Sequence, residues 1–87
     1  MYKIIFSKIA AKHKPLLKSA GLEAKTKLLL NLIAENPFKN PPPYEKLVGD
    51  LSGAYSRRLN HQHRLVYTVD KENEAINVLS MWTHYEF

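Results

Sequence analysis

The hydrophobic pattern changes its period partway along the chain, and this change constrains the fold more than any other feature. Over residues 8–35 the apolar side chains recur at helical spacing, whereas after a turn signal at residues 50–53 they alternate with a period of two. A chain of 87 residues has room for one domain. We therefore predict a single α+β domain over residues 1–87.

The first half predicts one strand followed by two helices. Residues 2–6 are rich in β-branched and aromatic side chains, which is typical of a strand. Ser7 is the expected N-cap of a first helix over residues 8–20, which Pro15 should kink or split. Residues 22–35 place their leucines on one face and their lysines on the other, which predicts a second helix.

A proline-rich passage separates the helices from the remaining strands. Asn36-Pro37 ends the second helix, and the prolines at 41–43 predict an extended loop that leads to Glu45. Strands are expected at residues 54–59, 64–69 and 75–82, joined by short connections. The order of elements predicts an N-terminal strand and a two-helix hairpin packed on a twisted, mainly antiparallel sheet.

The net charge of +5 is unevenly distributed. Residues 1–40 contain eight lysines and two glutamates, a local balance of +6, whereas the three arginines all lie in the second half. Lysines suit diffuse attraction to phosphate backbones, and arginines suit directed, bidentate contact with a phosphate. On charge alone, a solvated lysine surface that only maintains solubility is an equally good interpretation.

The sequence excludes several classes of site. It contains no cysteine, so disulfides, thiolate catalysis and cysteine-based metal sites are ruled out. The first residues lack the long apolar stretch of a secretory signal, and no segment is apolar enough for a membrane span. We therefore expect a cytoplasmic protein.

Residues suited to cleaving RNA lie in the second half of the chain. Cleavage without a metal requires a base for the ribose 2′-hydroxyl, cations that stabilise the phosphorane, and an acid for the leaving 5′-oxygen. Glu45 is a candidate base, and His84 is a candidate acid because histidine titrates near neutrality. The arginines supply the cations, and Tyr85 is suited to stacking on a base or orienting the phosphate.

Strand alternation decides which arginines share a surface. Arg64 and His63 should point to opposite faces of their strand, and so should Arg57 and Arg58 on the preceding one. Only one of the adjacent arginines is then able to join Arg64. We predict that it is Arg58.

Each candidate also has a purely structural interpretation. Glu45 on a loop is compatible with an ordinary surface carboxylate, the arginines with ion pairs to nearby acids, and Tyr85 with packing on a neighbouring aromatic ring. His61 and His63 lie on one side of a strand, but without a third ligand we predict no metal site. His13 is expected to be exposed on the first helix. From the residues alone, the chain is a basic α+β domain with a plausible phosphate-handling cluster.

Three blocks of the second half resemble the YoeB/Txe family of toxins within the RelE superfamily. They are L-S-G-A-Y-S-R-R at residues 51–58, H-R-L-V-Y at residues 63–67 and H-Y at residues 84–85. The blocks stand in the family's order and spacing, and they cover about the last half of the chain. The first half agrees in architecture, with a strand and two helices that end in N-P-F.

The resemblance implies an mRNA interferase that acts in the ribosomal A site without a metal or cofactor and leaves a 2′,3′-cyclic phosphate and a 5′-hydroxyl. Its general base falls on Glu45 and its general acid on His84, with the phosphate-binding arginines at Arg58 and Arg64 and the terminal tyrosine at Tyr85. It also implies a YefM/Axe-type antitoxin, binding of operator DNA only as the toxin–antitoxin complex, and the capacity to form a homodimer. The lysine-rich half then becomes a candidate surface for docking on ribosomal RNA.

Two departures from the family pattern affect the candidate site. Family members carry a lysine where this chain has Val48, so one positive charge near the substrate is missing or is replaced by Lys46. Many members also end at the tyrosine, whereas Glu86 and Phe87 follow it here.

Two other functions are also compatible with the sequence. A ParE-like member of the superfamily would be a non-enzymatic inhibitor that binds a topoisomerase and would need neither Glu45 nor His84. A nucleic-acid-binding subunit that acts with its antitoxin on operator DNA is also compatible with the basic charge, although no segment resembles a recognition helix.

Overall fold

The computed structural model describes residues 1–82, and within them two α-helices accompany five strands and a short 3₁₀ turn. In chain order these are β1 (Lys3–Phe6), α1 (Lys8–Ser19), α2 (Glu23–Glu35), β2 (Glu45–Lys46), the 3₁₀ turn (Gly49–Leu51), β3 (Ala54–Arg58), β4 (Arg64–Asp70) and β5 (Ala75–Ser80). Neither helix of the described chain is long and apolar enough to cross a membrane.

The five strands form one sheet in the order β1-β5-β4-β3-β2. The pairs β2–β3, β3–β4 and β4–β5 are antiparallel, and β1 lies parallel to β5 at one edge. The α+β class, the strand followed by two helices, and the mainly antiparallel sheet are therefore confirmed.

The helical hairpin covers one face of the sheet and creates the main core. Residues such as Ile33, Leu65 and Tyr67 are fully buried there. A second, smaller cluster around Leu47 and Val66 lies apart from it. Because neighbouring residues of a strand point to opposite faces, Leu65 and Val66 fall into different clusters, as period-two alternation requires.

The first helix is capped as the sequence predicts. Ser7 Oγ accepts a hydrogen bond from the Ala10 amide at 3.0 Å and donates one to the Leu79 carbonyl at 3.0 Å. The expected split at Pro15 does not occur, because α1 continues through it to Ser19. Leu17, beyond the proline, is buried in the core, and this burial supports the helix where Pro15 cannot donate a backbone hydrogen bond.

The structure corrects the expectation that Glu45 lies on a loop. Residues Glu45–Lys46 form β2, an edge strand that pairs with β3. Two residues are too few to produce a recognisable hydrophobic period, so no sequence pattern indicates this strand. The peptide bonds that precede Pro41 and Pro42 in the connecting segment are cis.

Candidate functional site

A cleft of about 190 Å³ opens between the end of the proline-rich segment and strands β2, β3 and β4. It is lined by Pro42, Pro43, Tyr44, Glu45, Ser56, Arg58 and Arg64. Three residues singled out from the sequence, Glu45, Arg58 and Arg64, thus border one concave surface.

Strand register brings these three side chains together. Arg58 lies directly opposite Arg64 in the β3–β4 pair, and Glu45 lies directly opposite Ser56 in the β2–β3 pair. Side chains opposite one another in antiparallel strands have Cβ atoms roughly 5 Å apart. Residues separated by 19 positions in the chain are therefore neighbours across the sheet.

The cleft combines two guanidinium groups with one carboxylate. Arg64 Nη1 donates to Glu45 Oε1 at 3.4 Å, with the Glu45 side chain 61% exposed and the Arg64 side chain 14% exposed. Arg58 is exposed beside them. Like charges directly opposite each other on a sheet repel, so an anion that binds between Arg58 and Arg64 gains from both.

Arg57 has the opposite environment from Arg58. Its side chain is only 1% exposed, and it donates hydrogen bonds to the Pro42 carbonyl at 2.7 Å, the Pro37 carbonyl at 3.0 Å and the Tyr67 hydroxyl at 2.9 Å. The Tyr67 hydroxyl in turn donates to the Pro37 carbonyl at 2.9 Å. Arg58 lines the cleft and Arg57 does not, which is the orientation that alternation predicts.

These bonds fix the segment that leads into β2. Burial raises the pKa of the Tyr67 hydroxyl, and the hydrogen bond and charge of Arg57 oppose that shift. The Arg57 guanidinium also lies 4.9 Å from the centre of the Tyr44 ring. This role of Arg57 was not predicted from the sequence. The available signal was an arginine on the buried face of a strand, next to a loop whose prolines leave carbonyl groups without strand partners.

Aromatic side chains also hold the same segment against β3. The ring centres of Phe38 and Tyr55 are 5.3 Å apart, and those of Tyr44 and Tyr55 are 5.7 Å apart, both in edge-to-face geometry. Such pairs add to the stability gained from burial alone. Tyr44, which directly precedes Glu45, is thereby held on β3.

The described chain ends beside Arg64. The Arg64 amide donates to the Trp82 carbonyl at 3.2 Å. The same oxygen lies 2.6 Å from His63 Nδ1, and the His63 and Trp82 rings stack with centres 3.9 Å apart. A carbonyl only accepts, so Nδ1 carries the proton in this bond. The predicted acid His84 and the predicted tyrosine Tyr85 lie outside the described residues.

The remaining histidines differ from one another. His63 is buried and His61 is exposed, and within residues 1–82 no group of three potential ligands is positioned to hold a metal ion. His13 is not simply exposed, as the helical pattern suggested, because its Nδ1 accepts a hydrogen bond from the Met81 amide at 3.1 Å. Burial lowers the pKa of His13. Val48 is 84% exposed just after β2.

Residues 17–85 match the model of a family described as the YoeB-like toxin of bacterial type II toxin-antitoxin systems. Toxin YoeB of Synechocystis is 41% identical over 59 residues. That alignment covers 68% of this chain and 66% of the relative, so it spans just under two thirds of the relative's length.

Solved structures extend the similarity to almost the whole chain. The heterotetrameric YoeB-YefM toxin-antitoxin complex from Staphylococcus aureus contains a chain that is 36% identical, with a TM-score of 0.81 over 98% of this chain and 99% of that one. The YoeB dimer from Staphylococcus aureus is 37% identical, with a TM-score of 0.81 over 97% and 98%. By its sequence and its fold, the chain belongs to the YoeB-like toxins of bacterial type II toxin-antitoxin systems.

Proposed function

We propose that this toxin is a ribosome-dependent endoribonuclease that cleaves mRNA in the A site by metal-independent acid and base catalysis. The observation that carries the proposal is the convergence of Glu45, Arg58 and Arg64, from three different strands, on one cleft. A carboxylate beside two guanidinium groups provides a proton acceptor next to a site for an anionic phosphate.

In the proposed reaction, the Glu45 carboxylate accepts the proton of the ribose 2′-hydroxyl. The 2′-oxygen attacks the adjacent phosphorus, and the bond from phosphorus to the 5′-oxygen breaks. Arg58 and Arg64 stabilise the additional negative charge of the phosphorane. His84 donates a proton to the departing 5′-oxygen, so the products are a 2′,3′-cyclic phosphate and a 5′-hydroxyl.

The geometry of the charged groups suits this division of roles. Arg64 is largely buried and is held by its strand, so its guanidinium is pre-oriented towards the cleft. Glu45 is mostly exposed, so a substrate is able to reach its free oxygen. Tyr85 is assigned to stacking on a base or orienting the phosphate, as the family resemblance implies.

The proposal includes an antitoxin of the YefM/Axe type as the controlling partner. The Staphylococcus aureus relative, which is similar along nearly its entire length, was solved both with YefM and as a dimer. By this likeness we assign the chain a YefM-type antitoxin and the capacity to form a homodimer. Contact with operator DNA, only as part of the toxin–antitoxin complex, is assigned from the family resemblance. Its cellular location is assigned to the cytoplasm, where ribosomes and the message meet.

The test is cleavage of a defined message in a cell-free translation system, with 5′ ends mapped by primer extension. We expect the parent to cut the ribosome-bound message, and Glu45→Gln or His84→Gln to reduce the rate by at least about a hundred-fold. Matched controls are Glu72→Gln and His61→Gln, which change an exposed acid and an exposed histidine outside the cleft and should cut like the parent.

Two results would contradict the proposal in different ways. If Glu45→Gln and His84→Gln both cut at the parent rate, the assignment of base and acid is wrong. If the parent arrests growth but leaves ribosome-bound message intact and instead inhibits a topoisomerase, the toxin is of the non-enzymatic, ParE-like kind.

A further inference from the structure

Ser56 has a buried hydroxyl that has no role in the reaction proposed above. It lies on β3, is 1% exposed and lines the charged cleft. Within residues 1–82 its Oγ atom has no hydrogen-bond partner. Buried polar atoms are paired in the great majority of cases, so an unpaired one calls for an explanation.

An alanine would fill this position without leaving a polar atom unpaired. The position lies in the middle of a strand, where a serine has no advantage in intrinsic propensity over an apolar residue. A buried hydroxyl without a partner loses its bonds to water and gains nothing in return. A bound substrate is one source of such a partner, because Ser56 lines the cleft.

Strand geometry locates this hydroxyl among the charged residues. Ser56 pairs with Glu45 on β2 and with Val66 on β4, so it lies on the middle one of the three strands that line the cleft. Arg58 follows two residues later on the same face of β3, directly opposite Arg64. The hydroxyl thus lies at the base of a site whose sides carry one carboxylate and two guanidinium groups.

We propose that Ser56 is a substrate-binding residue whose hydroxyl donates a hydrogen bond to a non-bridging oxygen of the scissile phosphate. This assignment rests on the proposed endoribonuclease function. The flanking arginines attract an anion rather than a neutral base edge, and a hydroxyl bonds most strongly to an ionised acceptor. Donation to a phosphate oxygen would give the buried hydroxyl its missing partner only when substrate is bound.

The experiment compares the parent with Ser56→Ala in the cell-free cleavage assay and in thermal unfolding. We expect kcat/KM for cleavage to fall about ten-fold to a hundred-fold, as loss of a hydrogen bond to a charged group does. The unfolding temperature should stay equal or rise, because the substitution removes an unpaired buried hydroxyl. The matched control is Ser52→Ala, which changes an exposed serine outside the cleft and should leave both quantities unchanged.

A modified substrate separates direct contact from an indirect effect. In a message with a phosphorothioate at the cut site, sulfur replaces one non-bridging oxygen and accepts hydrogen bonds poorly. One of the two phosphorothioate isomers should slow cleavage by the parent more than it slows cleavage by Ser56→Ala. The variant has no hydroxyl at this position, so the sulfur removes no hydrogen bond from it.

The outcomes distinguish failure of the Ser56 assignment from failure of the proposed endoribonuclease function. If the parent and Arg64→Ala both fail to cut, the proposed function is overturned, and this assignment with it. If the parent cuts, Arg64→Ala does not, and Ser56→Ala cuts at the parent rate, only the role of Ser56 is wrong. A fall in activity that matches a fall in unfolding temperature also overturns it, since Ser56 would then act only through the fold.

Discussion

Arg57 and Arg58 are adjacent in the chain, yet they serve different parts of the molecule. Arg57 is buried and bonds to two carbonyls of the proline-rich segment, whereas Arg58 is exposed at the cleft. A guanidinium presents several donors in a fixed fork, and a lysine ammonium cannot reach the same three acceptors at once. Substitution by lysine therefore separates the structural contribution of one residue from the binding contribution of the other.

We expect Arg57→Lys to lower the free energy of unfolding by about 2–3 kcal/mol, because it leaves buried acceptors unpaired. Arg58→Lys should change that free energy by no more than about 0.5 kcal/mol, as is usual for exposed positions. It should nevertheless slow cleavage, because the bidentate contact with phosphate is lost. Urea denaturation and the cell-free assay measure the two effects, and equal destabilisation by both variants would contradict the assignment.

At the scale of single residues, the sequence indicated orientation better than it indicated contacts. The alternation rule showed that only one of Arg57 and Arg58 could share a face with Arg64, and the structure places Arg58 beside Arg64. The spacing of the blocks was enough to identify the family. A buried-face arginine beside a proline-rich loop was a signal for bonds to that loop, but the particular acceptors of Arg57 and the unpaired hydroxyl of Ser56 were not predictable. Both depend on where the segment after α2 returns to the sheet, which no local pattern encodes.

Among the secondary-structure elements, α1 is tied to the end of the β-sheet by a histidine. His13 Nδ1 accepts a hydrogen bond from the Met81 amide, just after β5, and burial lowers the pKa of His13. Only the neutral ring is able to accept this bond. Protonation of His13 therefore opposes the packing of α1 on the sheet.

This contact predicts a pH dependence of stability. As the pH falls below about 6.5, His13 becomes protonated in the unfolded chain at a higher pH than in the folded chain. The free energy of unfolding should therefore be fully retained above that pH and should decrease as pH falls through the lowered pKa of the folded state. His13→Asn keeps a side-chain acceptor but does not titrate, so it should flatten this dependence in urea denaturation curves measured between pH 5 and 7.

The control for this prediction is His61→Asn, which changes an exposed histidine in the β3–β4 connection. It should retain the slope of the parent. If His13→Asn and the parent lose stability equally as the pH falls, the contact with Met81 is not what makes the fold sensitive to acid.

The long elements were predictable because each carries many repeats of its period. Both helices and the strands β3 to β5 were located to within a few residues. The continuity of α1 across Pro15 was not predictable, because burial in the core outweighs a local break. Strand β2 exists only through its pairing with β3, so its formation is a tertiary property rather than a local one.

The whole molecule has a strongly basic helical half and a second half that is nearly balanced in charge. The lysines of α1 and α2 are all exposed, on the elements that cover the sheet face opposite the cleft residues. For the function proposed above, such a distribution suits approach to the phosphate backbone of ribosomal RNA and leaves the cleft free for message.

Salt dependence tests this docking surface. Lys8→Gln combined with Lys12→Gln should weaken association with ribosomes and reduce the slope of log affinity against log salt by about 1.5, close to 0.7–0.9 per lost phosphate contact. Co-sedimentation between 50 and 200 mM salt measures the slope. The control is Lys71→Gln, in a turn that also carries Glu72 and Glu74, and an equal effect of this control would contradict a surface centred on the helices.

The two carbonyls held by Arg57 belong to Pro37 and Pro42, so that stretch is closed at both ends and has a fixed span. Inserting or deleting a residue within it would shift the following strand by one position and turn Glu45 away from its partner across the sheet. The proline-rich stretch should therefore keep its native length in any engineered form of the toxin.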